Sequence, residues 1–329
     1  MENKLKELKS ILAEISDLNA AIALLGWDQQ VNMPPGGAEL RGYQLGTLSK
    51  LSHQRSTSAE MGKLIDELAV YAEQLDPDSD DARLIKVVQR DFTKQVKVPS
   101  EMVEEMAQVS TVAFNAWQEA RAEDNFQKFQ PYLEKIIDLR RRYAALFAPF
   151  DHVYDPLLDD FEPGLKTADV HAIFTALRPQ QVALLQAIAG RPQVENAFLK
   201  QYYEEEQQWE FGVEAITRFG YDWNRGRQDK SAHPFTTNFG RDDVRITTRL
   251  LKDDGASALF STMHEAGHAM YEQGVRADLA RTPLANGASL AVHESQSGMW
   301  ENLVGRSLPF WEFFYPRFQA AFPKQLEGI

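Results

Sequence analysis

The chain contains no cysteine. That single absence excludes disulfides, thiolate nucleophiles and cysteine-ligated metal, and it leaves a reducing compartment open. Positive charge is also scarce: 35 lysines and arginines face 48 aspartates and glutamates, for a net charge of −13. A nucleic acid or an anionic membrane surface would be repelled by such a chain. Long apolar runs are missing too. The stretch from Ala20 to Trp27 is too short for a membrane span or for the usual signal-peptide core. These absences predict a cytoplasmic protein that takes neither nucleic acid nor membrane as a partner. No repeat and no low-complexity linker is visible.

What is present is the balance of an ordinary globular chain, with 43% hydrophobic and 25% charged residues over 329 positions. That length allows one large domain or two ordinary ones. Apolar positions recur every three or four residues over 2–24, 37–55, 58–75, 80–96, 100–122, 127–148, 167–189 and 195–218, which predicts helices. Breakers stand between them: "MPPGG" at 33–37, "LDPDSDD" at 75–81 and "VPS" at 98–100, with Ser100 a candidate N-cap. The segment "DPLLDDFEPG" (155–164) reads as a long connection. From 233 the pattern changes to alternation in "HPFTTNFGRDDVRITTRLL", where Gly240 suits the turn of a hairpin. The expected fold is mostly α, with one small β-sheet just before a distinctive helix. A helical lobe over about 1–230 precedes a sheet-and-metal region over about 231–329, and together they read as a single domain.

The distinctive helix carries "STMHEAGHAM" (261–270). Asp253 and Asp254 precede it as candidate caps, and Gly274 stands just past its end as a candidate left-handed terminator. Leu259, Met263, Gly267 and Met270 form a stripe for the core. His264 and His268 lie one turn apart, so their imidazoles leave the helix on one face. Two neutral ring nitrogens at that spacing can share one metal ion. Glu265, turned about 100° from His264, can reach water activated at that ion without becoming a ligand.

A catalytic site of this kind needs a third protein ligand and one open position. "AVHESQSGMWEN" (291–302) offers Glu294 on a second helix packed beside the first, with Gly298 letting the backbones approach. His293 competes with Glu294, but neighbours on a helix point about 100° apart, so only one of them faces the ion; Glu294 is the choice. Glu272 and Glu301 read as solvated helix glutamates. Trp27, Trp117 and Trp209 read as core residues. His233 and Arg245, on the two strands of the hairpin, are candidate substrate-binding groups.

Taken together, "HEAGH" (264–268), "HESQ" (293–296), "HPF" (233–235) and "DVRIT" (243–247) resemble the Taq-type metallocarboxypeptidases, also called thermostable carboxypeptidases. Weaker echoes are "WDQQVNMPPGG" (27–37), "DPLLDDFEPG" (155–164) and "FGYDWNRGR" (219–227). The resemblance implies a large helical peptidase fold with a deep cleft, usually paired as a homodimer. It implies peptide substrates trimmed from the C-terminus with broad specificity. It also implies one divalent metal ion, zinc or cobalt, held by His264, His268 and Glu294, with Glu265 as general base. Two further motifs of that family, Ile/Val-Arg-x-x-Ala-Asp and Gly-x-x-Gln-Asp-x-His-Trp, do not occur, so the chain is expected to be a C-terminally truncated member.

Three functions fit this sequence. A metal-dependent carboxypeptidase leads. A metal-dependent endopeptidase or oligopeptidase uses the same ligand set. A metal-binding helical fragment without turnover is the third, kept open by the two missing motifs.

Overall fold

A computed structural model describes all 329 residues. The first half is a stack of antiparallel helices. Helix α1 (Glu2–Val31) runs seven residues past its expected end at 24, because nothing breaks the periodicity before the prolines at 34 and 35. Its last turns bury Trp27, only 6% exposed. Helices α2 (Ala38–Ser56), α3 (Ala59–Ala72) and α4 (Asp80–Gln95) follow. The hydroxyls of Ser58 and Ser79 accept the N–H groups of Met61 and Ala82, caps worth about 1 kcal/mol each. Leu8, Met61, Leu68 and Ile85 close a first core between α1, α3 and α4. Helix α5 (Ser100–Ala122) lies along α2, and α6 (Phe126–Ala145) packs on α5. The cap position of α5 falls on Pro99 rather than on Ser100, which is its first helical residue.

The expected connection at 155–164 contains one short helix, α7 (Asp155–Asp159). Asp155 is buried there and accepts the backbone N–H of Thr167, so it fixes the start of α8 (Thr167–Ala189). No residue of α8 is buried, and Ile173, Phe174, Leu184 and Leu185 are all exposed.

A second core starts at Tyr203, earlier than the expected boundary at 231. Helix α9 (Glu205–Phe219) begins ten residues later than the expected helix, and its Phe211 and Ile216 enter this core. Strands β1 (Gly226–Lys230), β2 (Thr236–Asn238) and β3 (Val244–Thr248) form a sheet in the order β1-β3-β2. β2 and β3 are the expected hairpin, antiparallel with Thr237 opposite Arg245. β1, parallel to β3, was not expected, because "GRQDK" carries no apolar alternation.

Helix α10 (Ser257–Gln273) crosses the sheet, α11 (Leu290–Gly298) lies across α10, and α12 (Leu308–Ala321) closes the core. Between α11 and α12 the chain widens into a π-helical stretch, Met299–Val304. Phe314, Phe318 and Phe322 pack against Tyr203 and Phe211, and Phe310 stacks on Phe314. Burying each such ring contributes about 1.5–3 kcal/mol. No helix is long and apolar enough to cross a membrane.

Candidate metal centre and active site

Helix α10 is held at both ends and along one face. Asp254 Oδ1 accepts the N–H groups of Ala256 and Ser257, both at 3.0 Å, and so caps the helix. At the other end Gly274 stays right-handed, at φ −77°, and its N–H returns to the Met270 carbonyl. The left-handed terminator expected there is not used. Met263, Ala266 and Ala269 are fully buried in the second core, which aims His264 and His268 away from it, toward α11.

The closest approach of α10 and α11 is at Gly267, where a Cβ would stand 2.7 Å from the Gln296 carbonyl oxygen and from Ser297 Cα. Gly298, expected to perform this role, has open space where its Cβ would be. The crossing brings Glu294 over the two histidines. Glu294 Oε2 lies 3.5 Å from His264 Nε2 and 3.6 Å from His268 Nε2. One donor atom from each of the three residues falls within 4.8 Å of the others. Tetrahedral ligands about 2.0–2.2 Å from an ion stand roughly 3.3–3.6 Å apart, so this donor set fits a single divalent cation. Glu294 remains half exposed, and Ser297 Oγ donates to its Oε2 at 2.8 Å, which orients the carboxylate.

The Nδ1 nitrogens of both rings are engaged elsewhere, leaving each Nε2 facing Glu294. His264 Nδ1 is 3.0 Å from Glu301 Oε2, and Glu301 in turn accepts Arg306 Nη2 at 3.0 Å. The Arg306 guanidinium lies 3.9 Å over the Phe260 ring. His268 Nδ1 is 2.6 Å from His293 Nδ1, and His293 Nε2 is 2.7 Å from Glu272 Oε1. Burial, helped by the nearby His293, pushes the His268 imidazole down to about 4, so the ring is neutral at pH 7. Glu272 and Glu301, expected to be solvated, are buried and partly buried partners of the site. Their spacing carried the signal. Glu272 is one turn on from His268, and Glu301 is two turns on from Glu294.

Glu265 points from α10 toward the sheet and is 6% exposed. Thr236 Oγ1, on β2, donates to its Oε2 at 2.7 Å. Burial raises the carboxyl above its usual range, with Thr236 opposing. His233 lines one cavity of about 590 Å³ together with His264, Glu265, Phe260 and Arg306. Its Nδ1 is 2.7 Å from the Pro234 carbonyl oxygen.

Arg245 lies elsewhere. Val244 and Ile246 face the core with no exposure, so the residue between them points to the opposite face of the sheet. There Arg245 pairs with Asp243 through two nitrogens and stacks 4.4 Å over Trp27. It braces α1 against the sheet and does not line the cavity at the histidines. Of the three tryptophans expected in the core, Trp27 is buried and Trp117 and Trp209 are half-buried.

Two imidazoles and a converging carboxylate form a group that could hold a metal ion, with a second, buried glutamate beside them. Over residues 7–329 the sequence matches the Carboxypeptidase Taq (M32) metallopeptidase family, and the chain belongs to that family. It is 35% identical to Carboxypeptidase 1 of Bacillus subtilis over 325 residues, 98% of this chain and 64% of that protein. It is 38% identical to Thermostable carboxypeptidase 1 of Thermus thermophilus over 312 residues, 91% of this chain and 61% of that protein. The solved M32 carboxypeptidase of Deinococcus radiodurans superposes with a TM-score of 0.88 at 41% identity, covering 99% of this chain and 65% of that one. The crystal structure of BsuCP superposes with a TM-score of 0.96 at 34% identity, covering 99% and 66%. The chain thus spans less than two thirds of the length of these two curated relatives.

Proposed function

We propose that the protein is a metal-dependent carboxypeptidase acting on peptides with broad specificity. The carrying observation is the convergence of His264 Nε2, His268 Nε2 and Glu294 Oε2 within bonding distance of one cation position, with Glu265 buried alongside. These three residues would hold the ion. A divalent cation there supplies Lewis acidity, making water more acidic and a substrate carbonyl more electrophilic. Zinc is the ion this reading assigns, with cobalt as a working substitute. The two-imidazole, one-carboxylate donor set is compatible with both.

Glu265 accepts the proton of the attacking water and returns it to the leaving amine. Its raised pKa makes the ionised carboxylate a stronger base, and the Thr236 hydroxyl fixes which oxygen carries the proton. His233 stands at the mouth of the same cavity. With Nδ1–H committed to Pro234, its Nε2 donates to a developing oxyanion only as the imidazolium. Strand β2 is an edge of the sheet next to Glu265. An extended peptide laid along that edge gains main-chain hydrogen bonds that fix its register. The reading extends to a cytoplasmic homodimer, on the family resemblance and the cysteine-free composition.

An endopeptidase or oligopeptidase is the alternative, and blocked peptides separate the two. A free-acid peptide and its C-terminally amidated twin are incubated with zinc- or cobalt-loaded protein and followed by mass spectrometry. Stepwise loss of residues from the free C-terminus alone supports the carboxypeptidase. Internal cuts in both peptides overturn it in favour of the endopeptidase. No cleavage by protein with metal demonstrably bound overturns it in favour of a non-catalytic metal-binding chain.

A further inference from the structure

The two histidines of α10 are anchored by different chemistry. His264 meets a carboxylate directly, at Glu301. His268 meets a second imidazole, and only that imidazole reaches a carboxylate, at Glu272. The hydrogen-bond arithmetic of this second chain has one solution when His268 gives its Nε2 lone pair to a cation. Its Nδ1 then carries the hydrogen and donates to His293 Nδ1. His293 therefore accepts at Nδ1, carries its own hydrogen on Nε2 and donates it to Glu272 Oε1.

His293 is also held by packing. A Cβ at Gly287 would stand 2.6 Å from its Cδ2, so the loop before α11 is cut to the shape of the ring. Tyr271, in the last turn of α10, meets the ring edge-on at 5.0 Å, and its hydroxyl accepts the N–H of Ala288 in the same loop. Glu272 is almost fully buried, so its charge is felt through this chain and little through solvent.

We propose that His293 and Glu272 are positioning residues for the metal site: they fix the tautomer and orientation of His268, and His293 is not itself a ligand. This rests on the cation-binding reading of His264, His268 and Glu294, and it adds that the negative charge supporting His268 resides four residues further along α10, relayed by a neutral imidazole. Each ligand histidine then has its own carboxylate, one in direct contact and one at a remove. Partners of this kind typically contribute 10–100-fold in metal affinity.

The test reads metal binding directly. Zinc affinity is measured by competition with a chromogenic chelator on the full chain, and the visible spectrum of the cobalt-loaded protein reports its coordination. His293→Ala and Glu272→Gln are expected to weaken zinc binding 10–100-fold while the cobalt spectrum keeps the intensity of a four-coordinate site. His293→Gln is expected to recover much of the loss, because its amide oxygen can accept from His268 and its NH2 can donate to Glu272. Gly287→Ala, which touches no ligand and no hydrogen bond of the chain, is expected to weaken binding by crowding the ring. Wild-type affinity in His293→Ala and Glu272→Gln overturns the proposal. So does a His293→Gln protein as weak as His293→Ala, which would mark a packing role alone. Loss of the four-coordinate cobalt bands in His293→Ala would make His293 a ligand and overturn it as well. If wild-type protein binds neither zinc nor cobalt, the metal-site reading itself fails, and that outcome is recognised before any variant is made.

Discussion

Replacing Gly267 by alanine sets two effects against each other. Alanine favours the helix by about 1 kcal/mol over glycine. The new methyl carbon, however, would sit 2.7 Å from the Gln296 carbonyl oxygen and from Ser297 Cα, both backbone atoms that cannot rotate aside. Relief to an ordinary carbon contact requires α10 and α11 to part by roughly 0.7 Å. Overpacking of this kind costs about 1–3 kcal/mol, so the net loss of fold stability is about 0–2 kcal/mol. Metal binding has no such compensation. Glu294 lies one turn before Ser297 on α11 and moves with it, whereas the histidines stay with α10. Ligand distances tolerate about 0.2 Å, so a shift several times larger is expected to weaken zinc binding by on the order of tenfold or more. Thermal unfolding in chelator and zinc competition on Gly267→Ala measure the two effects separately. A small change in Tm with a large loss of affinity is expected. Zinc affinity within a factor of two of wild type refutes the claim that this crossing sets the site's geometry.

Other perturbations test other parts of the account. Glu265→Gln is expected to lower kcat/KM on peptides by about 10²–10⁴-fold while leaving zinc affinity unchanged. Because burial raises this carboxyl in the folded protein, its stabilising contribution is full at low pH and is lost as pH rises through the folded value. Metal-free Glu265→Gln should therefore melt at or above wild type at pH 7, and a clear drop would contradict the assigned direction. His268 behaves oppositely: its pKa falls from 6.5 to about 4 on folding. Metal-free protein should lose on the order of 2–3 kcal/mol of stability as pH drops through that window. His268→Gln removes this component, so equal slopes in urea titrations of the two proteins would count against it. Leu68→Ala, in the first core, is expected to cost about 2–5 kcal/mol and to leave zinc affinity of the folded protein as it is.

The parts of the site that were legible in the sequence share one property: their signal is a period. His264 and His268 are one helical turn apart, and a face shared by two imidazoles is chemically unusual enough to notice. Glu272 and Glu301 obey the same period, yet a glutamate on a helix is by default solvated, and only the tertiary crossing of α10 and α11 buries these two. Arg245 shows the reverse. Its neighbours Val244 and Ile246 were visibly the core side of a strand, so alternation already aimed it away from the histidine helix. β1 left no trace because a short parallel partner of a buried strand can be polar on both faces when Tyr221 and the sheet edge satisfy it. The choice between Gly267 and Gly298 depended on the crossing angle of two helices, which local periodicity does not encode.

The second core has a consequence for how the chain is made. Tyr203 packs against Phe322, with Leu326 in the same cluster, so its first and last members are more than a hundred residues apart in synthesis. The buried members of the first core end at Val88, with only Phe92 and Leu284 packing on it from further along, so most of it can close early. At roughly 5–20 residues per second, a ribosome leaves Phe211, Ile216 and the buried side of α10 waiting on the order of ten seconds for α12. The two histidines emerge well before the aromatic cover that fixes their helix in place. Until α12 docks, the face of α10 that lies opposite the two histidines has only part of its apolar cover.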